Sequence, residues 1–260
     1  MKKKTKKRLR RWLLAIGVVL ILSFLAYFFY NNIKDYYKSY YECEGVNIDN
    51  KKYTVFGIDV SSHQDEIDWE NVEEDGIEFA YIKATEGVDF VDKRYKTNYL
   101  KAKENGILVG AYHFFRFGAS GKEQAQNFIN QVSIENLDLP PVLDVERHGN
   151  YLSFSKVDQI RIEIKNYLNE IEKNYFIKPI IYTNIEGYQD YIKGHFDDYE
   201  IWICRICSEP DNNHWTFWQY SHKGKVDGID GKVDLNTFNG DIEDFIEYVN
   251  QYKELQRWKH

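Results

Sequence analysis

One uninterrupted apolar run stands near the start of the chain. Residues 12–30 hold nineteen side chains without a formal charge, which as a helix rising 1.5 Å per residue extend roughly 28 Å, about one bilayer core. From residue 53 onward the pattern changes to short apolar runs separated by polar segments of helical character. Strands are predicted at 53–60, 79–85, 107–115, 141–146, 179–184, 201–206, 216–221 and 233–238, where apolar and β-forming residues gather between turn formers. Helices are predicted among them at 92–105, 121–132, 155–175 and 185–193. Gly106 stands where the first of these should stop, and Ser153 or Ser155 suits the N-cap of the third. Eight strands alternating with helices predict an α/β fold, an irregular TIM-like (β/α) barrel that is helix-poor in its last third because its last strands have only short connections. No internal repeat or phosphate-binding glycine loop competes with that reading.

Charge decides what the apolar run does. Lys2, Lys3, Lys4, Lys6, Lys7, Arg8, Arg10 and Arg11 precede it with no acid among them, and such a cluster stays on the cytoplasmic side of a membrane. Trp12 and Tyr30 bracket the run as interfacial aromatics. A cleaved signal peptide ends its shorter apolar stretch at small residues, whereas this one ends in Ala26-Tyr27-Phe28-Phe29-Tyr30. A single-pass membrane anchor is therefore expected over 12–30, with residues 1–11 as a cytoplasmic basic tail, 31–52 as an extracytoplasmic spacer and 53–260 as one folded domain outside; secretion after cleavage is the alternative. The spacer's composition is compatible with extended chain or with helix. At 260 residues, 43% hydrophobic and with four prolines, the chain can bury one sizeable core and has little linker character. Without its first eleven residues it carries 26 basic against 41 acidic side chains. An acidic body of that kind is no nucleic-acid binder, since phosphates need Lys and Arg on the contacting face. Cys43, Cys204 and Cys207 are an odd set. Two residues three apart on a strand are roughly 10 Å apart, too far for a disulfide, so Cys204 and Cys207 are read as packing residues.

Acids gather where a barrel would place its chemistry. In Pro141-Val142-Leu143-Asp144-Val145-Glu146 an apolar strand ends in two carboxylates two residues apart, which strand geometry points to one side, at the end where barrel enzymes build their sites. Asp59 closes the first strand and Asp234 lies in the last; first and last strands of a closed barrel are neighbours. Carboxyls so crowded cannot all ionise freely, and one should keep a proton near neutral pH. Tyr112, Tyr182, Trp202, Trp218 and Tyr220 occur on the same strands. Aromatic faces stack on sugar rings and paired carboxyls cleave glycosidic bonds, so the combination reads as a sugar site. His63 and His113 are further candidates for lining the cleft, and Lys83 is read either as a partner of one of the carboxylates or as a snorkelling surface residue. Neither a metal-binding His-Glu-x-x-His nor a Gly-x-Ser-x-Gly elbow occurs in the sequence.

Gly57-Ile58-Asp59-Val60-Ser61-Ser62-His63-Gln64, with Ile67-Asp68-Trp69 after it, resembles the opening of the family-25 glycoside hydrolases, the Chalaropsis-type lysozymes. The resemblance continues in family order through Phe79-Ala80-Tyr81-Ile82-Lys83-Ala84-Thr85-Glu86-Gly87, Gly110-Ala111-Tyr112-His113-Phe114, the strand ending at Glu146, Ile181-Tyr182-Thr183-Asn184, and Trp218-Gln219-Tyr220-Ser221 leading to Gly231-Lys232-Val233-Asp234-Leu235-Asn236. It implies a muramidase that cuts the β-1,4 bonds of peptidoglycan glycan strands with no metal or organic cofactor. It places the family's acidic quartet at Asp59, Asp144, Glu146 and Asp234. By the family pattern Glu146 protonates the leaving oxygen, while Asp144 orients the substrate N-acetyl group as it attacks the anomeric carbon; a water activated by Asp144 or Asp234 is the other route. One departure is Trp202-Ile203-Cys204, where the family tends to have Trp-x-Ala, and it bears on substrate fit. Two rival functions remain, a catalytically silent wall-binding or scaffold protein and a glycosidase for another N-acetylated glycan.

Overall fold

A computed structural model describes residues 2–42, 46–150, 156–211 and 214–257. It divides into two compact units, Met1–Glu44 and Gly45–His260. In the first, a single helix α1 (Lys2–Glu42) runs through the apolar stretch and on into the spacer, which is thus helical as far as Glu42. Within it Arg11–Asn31 is long and apolar enough to cross a membrane, and its large side chains from Trp12 to Tyr30 are exposed.

The second unit contains β1 (Phe56–Val60), α2 (Trp69–Glu74), β2 (Phe79–Glu86), the two-residue β3 (Phe90–Val91), α3 (Tyr95–Glu104), β4 (Leu108–Phe114), α4 (Gly121–Gln131), β5 (Val142–Asp144), α5 (Val157–Tyr175), β6 (Ile180–Asn184), the short α6 (Ile185–Gly187) with a π-helical turn (Tyr188–Ile192), β7 (Ile201–Cys204), β8 (Phe217–Gly224), β9 (Val233–Phe238) and α7 (Ile242–Arg257). All eight expected strands form, and β1 pairs with both β2 and β9, so the sheet closes into a barrel. Six of its pairings, from β1–β2 round to β7–β8, are parallel. β9 is antiparallel to both neighbours. That reversal follows from the connection: a short turn between β8 and β9 can only return the chain, whereas parallel pairing needs a crossover of about a dozen residues or more. No helix lies between β7 and β8 or between β8 and β9 among the described residues, and α7 covers the sheet afterwards.

Strand alternation sorts side chains into two packed layers. Outward positions such as Ile58, Ala80, Ile82, Val109, Leu143, Ile181 and Ile203 join Phe128, Ile164, Tyr167 and Leu168 of the helices in one hydrophobic layer. Inward positions fill the lumen with rings: Phe79 meets Phe217 at 5.2 Å, and Tyr81 meets Trp202 at 4.8 Å between centroids. Glycines on adjacent strands make room for them. A Cβ on Gly57 would stand 2.4 Å from the Phe79 ring, and one on Gly110 2.1 Å from that of Tyr81. This aromatic packing fills the interior beside Asp59 and Asp144.

α3 stops as expected at Gly106, whose φ of +82° suits a residue without Cβ. α5 begins at Val157 with Lys156 at its N-cap; Ser153 and Ser155 lie outside the described residues. α7 and α2 were not anticipated. Cys204 is a free, buried thiol. Cys207, expected to pack in a strand, is instead exposed and disulfide-bonded, because β7 ends at Cys204 and the chain has left the sheet three residues later.

Candidate active site

A cavity of about 270 Å³ opens at the end of the barrel where β1, β2 and β4 to β7 terminate, lined among others by Asp59, His63, Lys83, Tyr112, Phe114, Asp144, Glu146, His148, Tyr182, Trp202 and Asp234. Asp59 is the fourth residue of β1 and Asp234 the second of β9; the reversed strand brings them directly opposite one another. Asp144 ends β5 between Phe114 and Tyr182 of the adjacent strands. Glu146 follows where the chain leaves the sheet, and its carbonyl accepts from Asn150 Nδ2 at 3.0 Å. Asn150 also donates to Phe115 O at 2.9 Å and accepts from Phe117 N at 2.9 Å, so the segment carrying Glu146 is tied to the end of β4.

All four quartet acids therefore meet in one cavity, with Tyr112, Tyr182 and Trp202 beside them. Trp218 and Tyr220 lie elsewhere. Odd and even residues of β8 face opposite ways: Gln219 points inward to Asp59, while Trp218 and Tyr220 join the outer hydrophobic layer. The Trp218 indole donates to Arg205 O at 2.8 Å and packs edge-on to Tyr53. The alternation rule, applied to β8, would have pointed to Gln219, and in β9 to Asn236. His113 is outward as well, held at Nδ1 by Thr85 Oγ1 at 2.7 Å and stacked on Tyr167. Burial pushes its imidazole down to about 3, so it stays neutral. His63 and Lys83 do reach the cavity.

Lys83 is the cation facing the acids. Its Nζ pairs with Glu86 at 2.5 Å and sits 4.9 Å from the centre of the Phe114 ring. Arg116 Nε donates to the other oxygen of Glu86 at 2.8 Å, and Arg116 lies over the same ring. Glu86 is held below its ordinary value by these two cations against the opposing effect of burial.

Burial is also the first cause acting on every member of the quartet, and it favours the neutral form. Asp144 is pushed well up by burial and then by Glu146. Asp234 is pushed well up by burial and then by Asp59. Glu146 rises to about 7 through burial and the charge of Asp59, with Lys83 acting the other way. Asp59 is raised by burial but drawn back by hydrogen bonds from Asn236 and Gln219. Of the four, Asp59 is the one whose charged form receives hydrogen bonds from amides, while burial favours the neutral form of its neighbours. Such a set can give a proton to a leaving group and stabilise positive charge in the same place. Asp144 Oδ1 is buried without a protein hydrogen-bond partner among the described residues. Cys204 faces the same interior beside Tyr182, and burial keeps its thiol protonated.

The family model described as glycosyl hydrolases family 25 matches residues 58–229. The uncharacterized protein YegX of Escherichia coli (strain K12) is 37% identical over 96% of this chain and 97% of its own. Lysozyme M1 of Streptomyces globisporus is 36% identical over 75% of this chain and 71% of its own. Among solved structures, a family 25 glycosyl hydrolase from Bacillus anthracis superposes with a TM-score of 0.71 and 37% identity, over 80% of this chain and 98% of that one.

Proposed function

The chain belongs to glycosyl hydrolases family 25, and on that premise we propose that it cuts the β-1,4 bond between N-acetylmuramic acid and N-acetylglucosamine in peptidoglycan. It is a glycoside hydrolase of the lysozyme type, a peptidoglycan hydrolase. The observation that carries the finer reading is the buried cluster of four carboxyls at the barrel mouth, with Glu146 raised to about 7. Glu146 gives its proton to the glycosidic oxygen as the bond breaks. Asp144, whose Oδ1 has no hydrogen-bond partner among the described residues, takes the N–H of the substrate acetamido group and turns the acetyl oxygen toward the anomeric carbon. Negative charge from Asp59 offsets the cation that develops there. Tyr112, Tyr182 and Trp202 form walls against which a sugar ring packs. A cavity of about 270 Å³ is near the lower end for ligand sites, so most of a long glycan lies outside it.

A wall-binding protein without turnover would have no use for such a cluster, because burying crowded carboxyls costs stability that a binder gains nothing by losing. The test is digestion of purified peptidoglycan followed by mass analysis of the new reducing ends. N-acetylmuramic acid is expected there. Ends carrying N-acetylglucosamine, or peptides released from intact glycan, would refute the bond assignment.

We further propose that residues 12–30 are retained as a membrane anchor, with 1–11 in the cytoplasm and the barrel outside. The basic cluster before the span supports this orientation, and a disulfide at Cys207 suits an oxidising compartment. Protease added to intact, wall-stripped cells is expected to degrade the barrel. A protected barrel, or a mature N-terminus beyond Tyr30, contradicts this topology.

A further inference from the structure

Asp59 and Asp234 are direct cross-strand partners, and two carboxyls placed side by side in a buried cleft do not both ionise freely, so one of the two is the one to keep a proton. Which one is decided from behind. Asp59 Oδ2 accepts two amide hydrogens, from Gln219 Nε2 at 2.8 Å and from Asn236 Nδ2 at 2.8 Å. Asn236 is not free to turn. The indole of Trp202 donates to Asn236 Oδ1 at 2.9 Å; an indole N–H can only donate, so the oxygen of Asn236 must face Trp202 and its NH₂ must face Asp59. The hydroxyl of Tyr182 donates to Gln219 Oε1 at 2.9 Å and orients that amide in the same sense. Asn236 is wholly buried and Gln219 nearly so, so water does not compete for these donors.

We propose that Gln219 and Asn236 are positioning residues that fix the ionic form of the acid pair: their paired amides hold Asp59 as the anion and leave the shared proton on Asp234. Two donors on one oxygen favour the charged form, whereas Asp234 has no comparable support among the described hydrogen bonds. Asp234 then faces the cleft in its neutral form. The inference rests on the quartet reading above and adds to it a division of labour within the pair. The other groups facing the pair are Asp144 and Glu146 from β5 and the turn after it, Lys83 from β2, Tyr112 from β4, Tyr182 from β6 and Cys204 from β7. His63, from the segment after β1, shares the cavity. A charge fixed on Asp59 also reaches Glu146, whose rise is due in part to it. Trp202 and Tyr182 would thus act on the proton donor through two amides and one carboxylate.

The test uses the full chain in detergent and infrared difference spectra of the carboxyl region at neutral pH, without substrate. Asp234→Asn is expected to remove a protonated-carboxyl band, and Asp59→Asn a carboxylate band. The reverse assignment overturns the proposal. Gln219→Met and Asn236→Leu keep side-chain volume but take away the donors, so in them the Asp59 carboxylate band should diminish. On glycan, their alkaline activity limb should move down by about one pH unit, roughly tenfold in proton affinity, as Glu146 loses a charged neighbour. Should either variant fail to fold, Gln219→Glu serves, since it puts a carboxyl where the donor stood; Asp59 should then hold a proton at neutral pH. Unchanged bands and an unchanged limb in the folded variants sink the idea. Because the spectra need no turnover, a protein that cut no glycan would refute the proposed function and still answer this question.

Discussion

Glu146→Gln should abolish turnover while leaving the barrel folded and the glycan bound. Glutamine matches the size and reach of the side chain but has no proton to give to a leaving oxygen. The backbone that carries residue 146 is held through Asn150 at 3.0 Å, a contact the substitution does not touch. Loss of a general acid typically costs about 10²–10⁴-fold, and an unprotonated sugar alkoxide is a poor leaving group, so the upper part of that range is expected. The neutral amide also replaces a carboxyl that burial and Asp59 disfavour as an anion, so stability should hold or rise slightly above pH 7. Rates on purified peptidoglycan, with circular dichroism for the fold and a pull-down on insoluble wall for binding, check all three parts. A variant retaining more than about a tenth of the wild-type rate would mean that the proton comes from another acid, and Asp234 would be the next to replace.

Much of the barrel was legible because each strand is a short, strongly apolar run and the period-two rule needs no partner to be read. The eight strands lie where the runs are, within a few residues at their ends. The reversal of β9 was legible only as a short connection, since direction is a property of pairing. α7 was not anticipated, although Phe245, Val249 and Tyr252 follow helical spacing and are buried. The site divided along the same line. Asp59, Asp144, Glu146 and Asp234 stand out in the sequence as acids on short apolar strands, and the structure gathers them in one cavity. Trp218 and Tyr220 were chosen for their rings, but the inward residues of β8 and β9 near the acids are Gln219 and Asn236, whose amides look ordinary until their partners are known. Cys207 could not be placed from spacing, which excludes a bond to Cys204 and says nothing of other partners.

Asp144→Asn is expected to lower kcat by about 10²–10³-fold, the scale found when one preorganised hydrogen-bonding group at a transition state is removed, without moving the alkaline limb of the pH profile. From sequence alone, Asp144 next to Glu146 is the natural cause of a raised glutamic acid. The structure assigns the causes differently: burial comes first for Glu146, and the charged neighbour is Asp59, while Asp144 is itself pushed well up, in part by Glu146. A neighbour that is neutral when Glu146 titrates exerts little field on it. The sign then follows for each variant. Activity needs Glu146 protonated, so wild-type activity should fall as pH rises through about 7. Asp144→Asn removes an uncharged group and leaves that fall in place on a much lower profile. Asp59→Asn removes a negative charge, makes ionisation of Glu146 easier, and should shift the fall to lower pH. Profiles of both variants on the same glycan separate the two causes. A limb that moves down in Asp144→Asn and stays fixed in Asp59→Asn would show that Asp144, not Asp59, carries the negative charge felt by the proton donor.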